Sequence, residues 1–166
     1  MTRACEYTHY SDSDHAGDKP YSTRSQTGIF LTLNNVPVHW KSNKQTATAY
    51  SSAAAEVMAL SESIRQARFL QWAGIDMGYA NVEKVYMRVD SKGARYFQSS
   101  SVLDSRLKGY FDLREAWIQE LRDLSKVGVV AVSGELNLSD LLTKPLKSSR
   151  FKSLLRLIQG GPELEG

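Results

Sequence analysis

The feature that most constrains the fold is a change of hydrophobic period near residue 51 of this 166-residue chain. Before it, short segments such as "GIFLTLNN" alternate apolar and polar residues, and turn signals such as "NNVP" separate them. After it, "SSAAAEVMALSESIRQARFLQWAG" repeats apolar residues every three or four positions, which is typical of an amphipathic helix. The chain therefore combines a strand meander with at least one long helix.

The remaining sequence continues to mix the two periods. "KVYMRVD" and "GVVAVSG" predict two further strands, while residues 110–126 and the segment "SRFKSLLRLIQGG" predict helices. We predict an α/β fold with a mixed five-stranded sheet, in which three antiparallel strands are followed by parallel additions and flanked by helices. Residues 1–160 form a single domain in this interpretation, and residues 161–166 form a polar tail.

Composition excludes some classes of function. The apolar runs are too short to span a bilayer, and the first twenty residues lack the apolar segment of a signal peptide, so no membrane partner is expected. Cys5 is the single cysteine, which rules out an internal disulfide and favours an intracellular setting. The formal net charge of +3 is compatible with a nucleic-acid partner but does not require one.

Four acidic residues occupy positions that are typical of a chemical site. Asp12 ends the first strand, Asp90 ends the fourth, Glu56 lies in the opening turns of the long helix, and Asp140 lies among leucines. Taken singly, each could be a turn or capping residue. If the first and fourth strands are neighbours, however, Asp12 and Asp90 meet at one edge of the sheet, where the helix can bring Glu56. Such crowded carboxylates repel one another unless cations are present, and hard oxygen ligands suit Mg²⁺ or Mn²⁺.

Five segments then carry a family resemblance. In order, "YSDSDHAGD", "RSQTGIFLTL", "VHWKSNKQTATAYSSAAAEVMALSES", "RVDSKGA" and "NLSDLLTKPL" closely resemble the ribonuclease H domain of copia-type (pseudovirus) LTR retrotransposon polyproteins, over residues 10–158. The resemblance implies a ribonuclease H fold and hydrolysis of the RNA strand of RNA/DNA hybrids. It implies two divalent ions, Mg²⁺ or Mn²⁺, held by Asp12, Glu56, Asp90 and Asp140. It also implies a reverse transcriptase domain of the same polyprotein as partner, in cytoplasmic virus-like particles.

Substrate contacts are expected on phosphates and in the minor groove rather than on base edges. The residues predicted to bind the substrate are polar or basic and lie near the acids or after the third strand: Ser91, Lys92, Lys41, Lys44 and Ser52. Ser51 and Ser52 serve equally well as helix caps. Trp40 is predicted to belong to the core, and His9 and His39 to be structural histidines within strands.

Two positions depart from the family pattern. Gly109 stands where the family usually has a histidine, and His15 stands where it usually has an aromatic residue. Asp14 is interpreted as a local helper or turn residue. The Gly109 change favours a second hypothesis, a catalytically weak or inactive module that binds nucleic acid or scaffolds the reverse transcriptase. A third, an aspartate-based phosphatase suggested by "DSD", is disfavoured because that class expects threonine or valine where His15 stands.

Overall fold

The computed structural model describes residues 7–15, 22–78, 84–90 and 113–160. Five strands form one sheet in the order β3-β2-β1-β4-β5, in which the first three strands pair antiparallel and β4 and β5 are added in parallel. The predicted mixed sheet is therefore confirmed, and the first and fourth strands are neighbours, which is the condition for Asp12 and Asp90 to meet at one edge. The strands are β1 (Tyr7–Asp14), β2 (Gln26–Leu33), β3 (Val36–Lys44), β4 (Val85–Val89) and β5 (Val127–Ala131).

Helices flank this sheet: α1 (Ser52–Asp76), α2 (Leu113–Asp123) and α3 (Ser148–Ile158), with two 3₁₀ turns, Gly134–Leu136 and Leu138–Leu142, before α3. The Ser51 hydroxyl caps α1 by accepting a hydrogen bond of 3.1 Å from the backbone N–H of Ala54. Within the described ranges, none of the helices has the length and apolar character needed to cross a membrane. Cys5 and the predicted tail at residues 161–166 lie outside the described residues.

The larger core lies between one face of the sheet and the helices α1 and α2. Strand residues of this face, such as Ile29 and Met87, are fully buried against the apolar stripe of α1. Trp117 and Leu121 of α2 pack against the same cluster. The helical stripe predicted from Val57, Leu60, Ile64, Ala67 and Leu70 is confirmed, since the first four are buried and Leu70 packs, partly buried, against the same cluster.

The opposite face carries a smaller core and the second 3₁₀ turn. Tyr10 and Phe30, which are partners in neighbouring strands, pack there against Leu138 and Leu154. The turn approaches β2 closely at Gly28, where a Cβ atom would lie 2.6 Å from the carbonyl oxygen of Ser139. Because glycine has no Cβ, the turn that carries Asp140 can lie directly on the sheet.

Trp40 is 62 % exposed, so its predicted place in the core is wrong. It lies on the edge strand β3, and the second 3₁₀ turn and α3 pack on the middle of the sheet rather than over this edge. The helical periodicity of residues 110–126 and of "SRFKSLLRLIQGG" also predicts that Leu124, Phe151 and Leu155 face inward. This prediction is wrong, because all three are exposed and Leu124 lies beyond the end of α2.

Candidate active site

Asp12 and Asp140 share one cation. Asp12 lies near the end of β1, opposite Gly28 in the register, and its side chain faces the second 3₁₀ turn, which carries Asp140. Both acids are buried, with 4 % and 6 % exposure. The Lys144 Nζ atom lies 3.4 Å from Asp12 Oδ2 and 3.1 Å from Asp140 Oδ1. A single ammonium group therefore bridges the two carboxylates.

Two further residues complete the hydrogen bonding of this pair. Thr143 donates its hydroxyl to Asp12 Oδ2 at 2.6 Å. Arg150, from the first turn of α3, donates from Nη2 to Asp140 Oδ2 at 2.8 Å and also to the carbonyl oxygen of Gly134. Buried carboxylates need such partners, because an unpaired buried charge is costly.

The electrostatics of Asp12 show how crowded the negative charge is. Burial raises the pKa of Asp12 to about 6, the Thr143 hydrogen bond and the Lys144 charge oppose this rise, and neighbouring Asp140 adds to it. Partial burial lowers the pKa of Lys144, but the charge of Asp12 and the hydrogen bond to Asp140 raise it above its ordinary value. Lys144 therefore keeps its positive charge beside the two acids, and the raised pKa of Asp12 is due mainly to burial.

Glu56 belongs to the same electrostatic environment. It lies in the second turn of α1, and α1 packs on β1 and β4. The pKa of Glu56 is raised to about 8, mainly by burial and then by the negative charges of Asp12 and Asp90, while a hydrogen bond with Ser13 and the charge of Lys144 oppose the rise. Among the described residues, none forms an ion pair with Glu56. Asp90 directly follows β4, the parallel neighbour of β1, which explains why its charge acts on Glu56.

The chemistry of the four acids fits a divalent cation, because carboxylate oxygens are the ligands that Mg²⁺ and Mn²⁺ prefer. In the conformation observed, however, no group of three or more acidic, histidine or cysteine side chains within the described ranges is arranged to hold a metal ion. The Lys144 ammonium lies where the charge of Asp12 and Asp140 is concentrated. A divalent ion that used both acids would therefore have to displace Lys144.

The predicted substrate-binding residues have different surroundings. Lys41 faces α1, where its Nζ lies 3.0 Å from Glu62 Oε1, so its charge is already paired. Lys44 lines a cavity of about 320 Å³ that borders the acids. Ser52 is exposed at the start of α1. Ser91, Lys92 and Gly109 lie outside the described residues, and the binding roles of all these positions stay predictions.

The cavity beside the acids is lined mainly by polar side chains. Arg24 precedes β2 and Gln26 begins it, Ser42 and Lys44 come from the end of β3, and Lys144 comes from the segment after the second 3₁₀ turn. The Ser42 hydroxyl donates to the carbonyl oxygen of Leu142 at 2.6 Å, which ties β3 to this turn. Three cationic side chains thus face one concave surface, which is suited to a phosphate group.

His15 and Asp14 occupy the end of β1. Asp14 is the last residue of the strand and also lines the cavity. The Nε2 atom of His15 lies 3.4 Å from the carbonyl oxygen of Ala49, so the ring contacts the segment that precedes α1. The interpretation of Asp14 as a helper or turn residue stays a prediction.

Sequence reasoning did not assign Thr143, Lys144, Arg150 or Arg24 to the site. A signal existed for Lys144, because it follows Asp140 by four residues and short-range charge pairs of this spacing are common. Arg150 and Arg24 come from other elements of the fold. Nothing in the local sequence indicates that they approach Asp140 or the end of β3.

The chain is similar to segments of much longer proteins. It is 29 % identical over 153 residues to the retrovirus-related Pol polyprotein from transposon TNT 1-94 of Nicotiana tabacum, covering 90 % of this chain and 11 % of that protein. It is 30 % identical over 149 residues to the Pol polyprotein from transposon RE2 of Arabidopsis thaliana, covering 90 % of this chain and 10 % of that protein. The chain therefore spans about a tenth of the length of these curated relatives. No family model matches it.

Solved structures give an independent comparison of the fold. The chain superposes on LC11-RNase H1, isolated from compost by a metagenomic approach, with a TM-score of 0.57 and 22 % identity, covering 86 % of this chain and 94 % of that one. It also superposes on LC11-RNase H1 in complex with an RNA/DNA hybrid, with a TM-score of 0.54 and 20 % identity, covering 83 % and 94 % of the two chains. At this identity the likeness shows the ribonuclease H fold, and the predicted fold class is confirmed.

Proposed function

We propose that this chain, a ribonuclease H-fold homologue of copia-type transposon Pol polyproteins, hydrolyses the RNA strand of RNA/DNA hybrids in a reaction that depends on divalent metal ions. The observation that supports this proposal most is the contact of two buried acids from separate elements, Asp12 and Asp140, with the same ammonium. The charges of Asp12 and Asp90 also act on Glu56, where they add to the rise in pKa that burial causes. Carboxylates so far apart in sequence are brought together at a cost that a hydrolytic metal site would explain.

The roles proposed for the acids are those that the resemblance to ribonuclease H implies. Two Mg²⁺ or Mn²⁺ ions held by Asp12, Glu56, Asp90 and Asp140 would supply an activated water and would neutralise the leaving oxygen. Asp12 is the central acid, because the charge of Asp140 acts on it and its own charge acts on Glu56. Thr143 and Arg150 position Asp12 and Asp140 through hydrogen bonds and limit the number of orientations these carboxylates can take.

The cationic cavity supports a nucleic-acid substrate. Arg24 and Lys44 would pair with backbone phosphates, and these contacts would hold the duplex without reading its sequence. Ser91 and Lys92, which directly follow Asp90 in sequence, would contact the strand that is cut. A protein with the same fold has been solved with an RNA/DNA hybrid, which is why we propose that hybrid, rather than duplex DNA, is the substrate.

We further propose that the domain works beside a reverse transcriptase domain of the same polyprotein, within cytoplasmic virus-like particles. The long relatives are Pol polyproteins, and the chain corresponds to about a tenth of each. This context would explain weak activity of the domain on its own, because a neighbouring polymerase would hold the hybrid in place.

A second function is favoured by one observation. The Lys144 and Arg150 side chains already neutralise much of the charge of Asp140, as expected of a domain whose acids have become structural. In that case the chain would be a catalytically weak or inactive module that binds nucleic acid or scaffolds the reverse transcriptase. Such a module would bind hybrid but would not cut it at any concentration of Mg²⁺ or Mn²⁺.

A cleavage assay separates the two functions. The parent chain is incubated with an RNA/DNA hybrid, duplex DNA or duplex RNA at a series of Mg²⁺ and Mn²⁺ concentrations. We expect metal-dependent cleavage of the RNA in the hybrid alone, and a loss of at least about a hundredfold in Asp12→Asn and Asp90→Asn. Asp76→Asn, at the exposed end of α1, is the matched control and should cleave like the parent. Equal rates in all four proteins would remove the proposed site.

A further inference from the structure

Lys144 has contacts that the proposed hydrolysis does not use. It lies in the segment between the second 3₁₀ turn and α3, and its side chain is 39 % exposed. Its ammonium nevertheless contacts two buried carboxylates from different elements, Asp12 at 3.4 Å and Asp140 at 3.1 Å. An exposed lysine gains little from a single surface ion pair, so a bridge between two buried acids indicates a specific role.

The contacts of Lys144 conflict with those of a metal ion. The ammonium contacts Asp12 Oδ2 and Asp140 Oδ1, while Thr143 and Arg150 hold Asp12 Oδ2 and Asp140 Oδ2. Few carboxylate oxygens of this pair are left for another cation. An ammonium and a divalent ion at neighbouring positions also repel each other strongly in a poorly solvated site.

We propose that Lys144 is a tethered cation that occupies the carboxylate pair Asp12 and Asp140 in the metal-free protein and is displaced when a divalent ion binds. This inference rests on the proposed function only in taking these acids as metal ligands. The inference goes beyond the proposed function because it assigns the control of metal affinity to Lys144. Lys144 stabilises the metal-free fold and weakens metal binding through the same contacts.

The neighbouring cavity offers the displaced Lys144 side chain another position. Lys144 also lines the cavity that carries Arg24 and Lys44, together with Leu141 and Leu142 of the turn that precedes it. A phosphate of the nucleic acid in this cavity would attract the ammonium away from the acids. Substrate and metal binding would then favour each other, because both favour the displaced position of Lys144.

Metal binding to three variants tests the proposal without using activity. The dissociation constant for Mn²⁺ is measured by isothermal titration calorimetry on the parent, Lys144→Met, Lys144→Arg and Lys147→Met. Methionine keeps the length of the side chain and removes its charge, so we expect Lys144→Met to bind Mn²⁺ about tenfold more tightly than the parent. Lys144→Arg keeps the charge and should bind like the parent. Lys147→Met removes an equal charge at an exposed position three residues away and should change the constant by less than about twofold.

Thermal melting provides the second readout. Without metal, Lys144→Met should melt below the parent, because two buried carboxylates lose a shared cation. Saturating Mn²⁺ should remove most of this difference. Equal Mn²⁺ affinity in the parent and Lys144→Met would overturn the proposal while leaving the nuclease assignment intact. Absence of Mn²⁺ binding in both proteins would instead overturn the proposed function together with it.

Discussion

The two faces of the sheet are built on different principles. The face under α1 and α2 is closed by apolar side chains such as Ile29, Ile64 and Met87, all fully buried. The face under the second 3₁₀ turn has a smaller apolar cluster and a group of buried polar side chains around Asp12 and Asp140. The comparison indicates that the first face, the apolar face, supplies most of the stability of the fold. The second face, the polar face, carries buried charges that make it less stabilising.

The largest effect should follow from truncating a side chain of the apolar face, which is the face of the sheet under α1 and α2. Ile64 is fully buried between α1 and the sheet, and Ile64→Ala would leave a cavity there. We expect a loss of about 4 kcal/mol in the free energy of unfolding, measured by urea denaturation. Leu155→Ala, an exposed apolar position on α3, is the control and should cost less than about 1 kcal/mol. Similar losses in both variants would contradict the division between the faces.

A pH effect comes next in size and concerns a buried polar residue within β1. His9 is 1 % exposed and stacks on Tyr7 with ring centroids 6.0 Å apart, and burial lowers its pKa to about 4. The folded state therefore holds the neutral ring, while the unfolded chain takes up a proton below about pH 6.5. The contribution of His9 to stability is complete above that pH and is lost as the pH falls towards 4.

The loss due to His9 should amount to about 3 kcal/mol over this range. NMR titration of the ring in the folded protein gives its pKa directly. The pH dependence of unfolding in His9→Gln, compared with that of the parent, isolates the contribution to stability. A folded pKa near 6.5, or identical pH slopes in the two proteins, would contradict this account of β1.

A smaller effect should follow from adding a methyl group where the second 3₁₀ turn contacts β2 on the polar face of the sheet. In Gly28→Ala, the added Cβ would meet the carbonyl oxygen of Ser139 and the Thr143 side chain, each 2.6 Å away. We expect a loss of about 2 kcal/mol and weaker Mn²⁺ binding, because the turn that carries Asp140 must shift. Gly134→Ala is the matched control, since no heavy atom lies within 4 Å of a Cβ built there. If Gly28→Ala keeps both stability and Mn²⁺ affinity, the close approach does not position the site.

The smallest effect concerns the cationic cavity of the polar face. Arg24→Gln or Lys44→Gln should weaken hybrid binding at low salt and reduce the slope of log affinity against log salt concentration by about 1 each. Lys126→Gln, an exposed position before β5 at the opposite end of the parallel strands, should leave the slope unchanged. Equal slopes for all variants, measured by fluorescence anisotropy in EDTA, would remove the cavity from the nucleic-acid interface.

The same two faces explain how far the sequence could predict the structure. The apolar face follows from periodicity, because the spacing of Val57, Leu60 and Ile64 depends only on local helix geometry. The polar face depends on contacts between residues far apart in sequence, such as Thr143 with Asp12, and no local pattern encodes them. Trp40 was placed wrongly for a related reason, since its strand pattern does not indicate that β3 lies at an uncovered edge.

The four acids could be recognised from the sequence, but the cations that pair with two of them could not. Strand ends and the family resemblance pointed to Asp12, Glu56, Asp90 and Asp140, whose roles stay predictions. That Lys144 and Arg150 pair with two of them is a property of the folded chain. The pairing matters because, under the proposal made above, Lys144 competes with a divalent ion for these two acids.

Thermal melting against metal concentration tests the central claim most directly. The midpoint of the parent should rise steadily as Mn²⁺ or Mg²⁺ exceeds its dissociation constant, because the ion binds only where folding gathers the acids. Asp12→Asn removes the central carboxylate, and its midpoint should stay nearly constant over the same range, while exposed Asp76→Asn should follow the parent. A midpoint that is insensitive to both ions in the parent, or that rises equally in Asp12→Asn, would contradict the account.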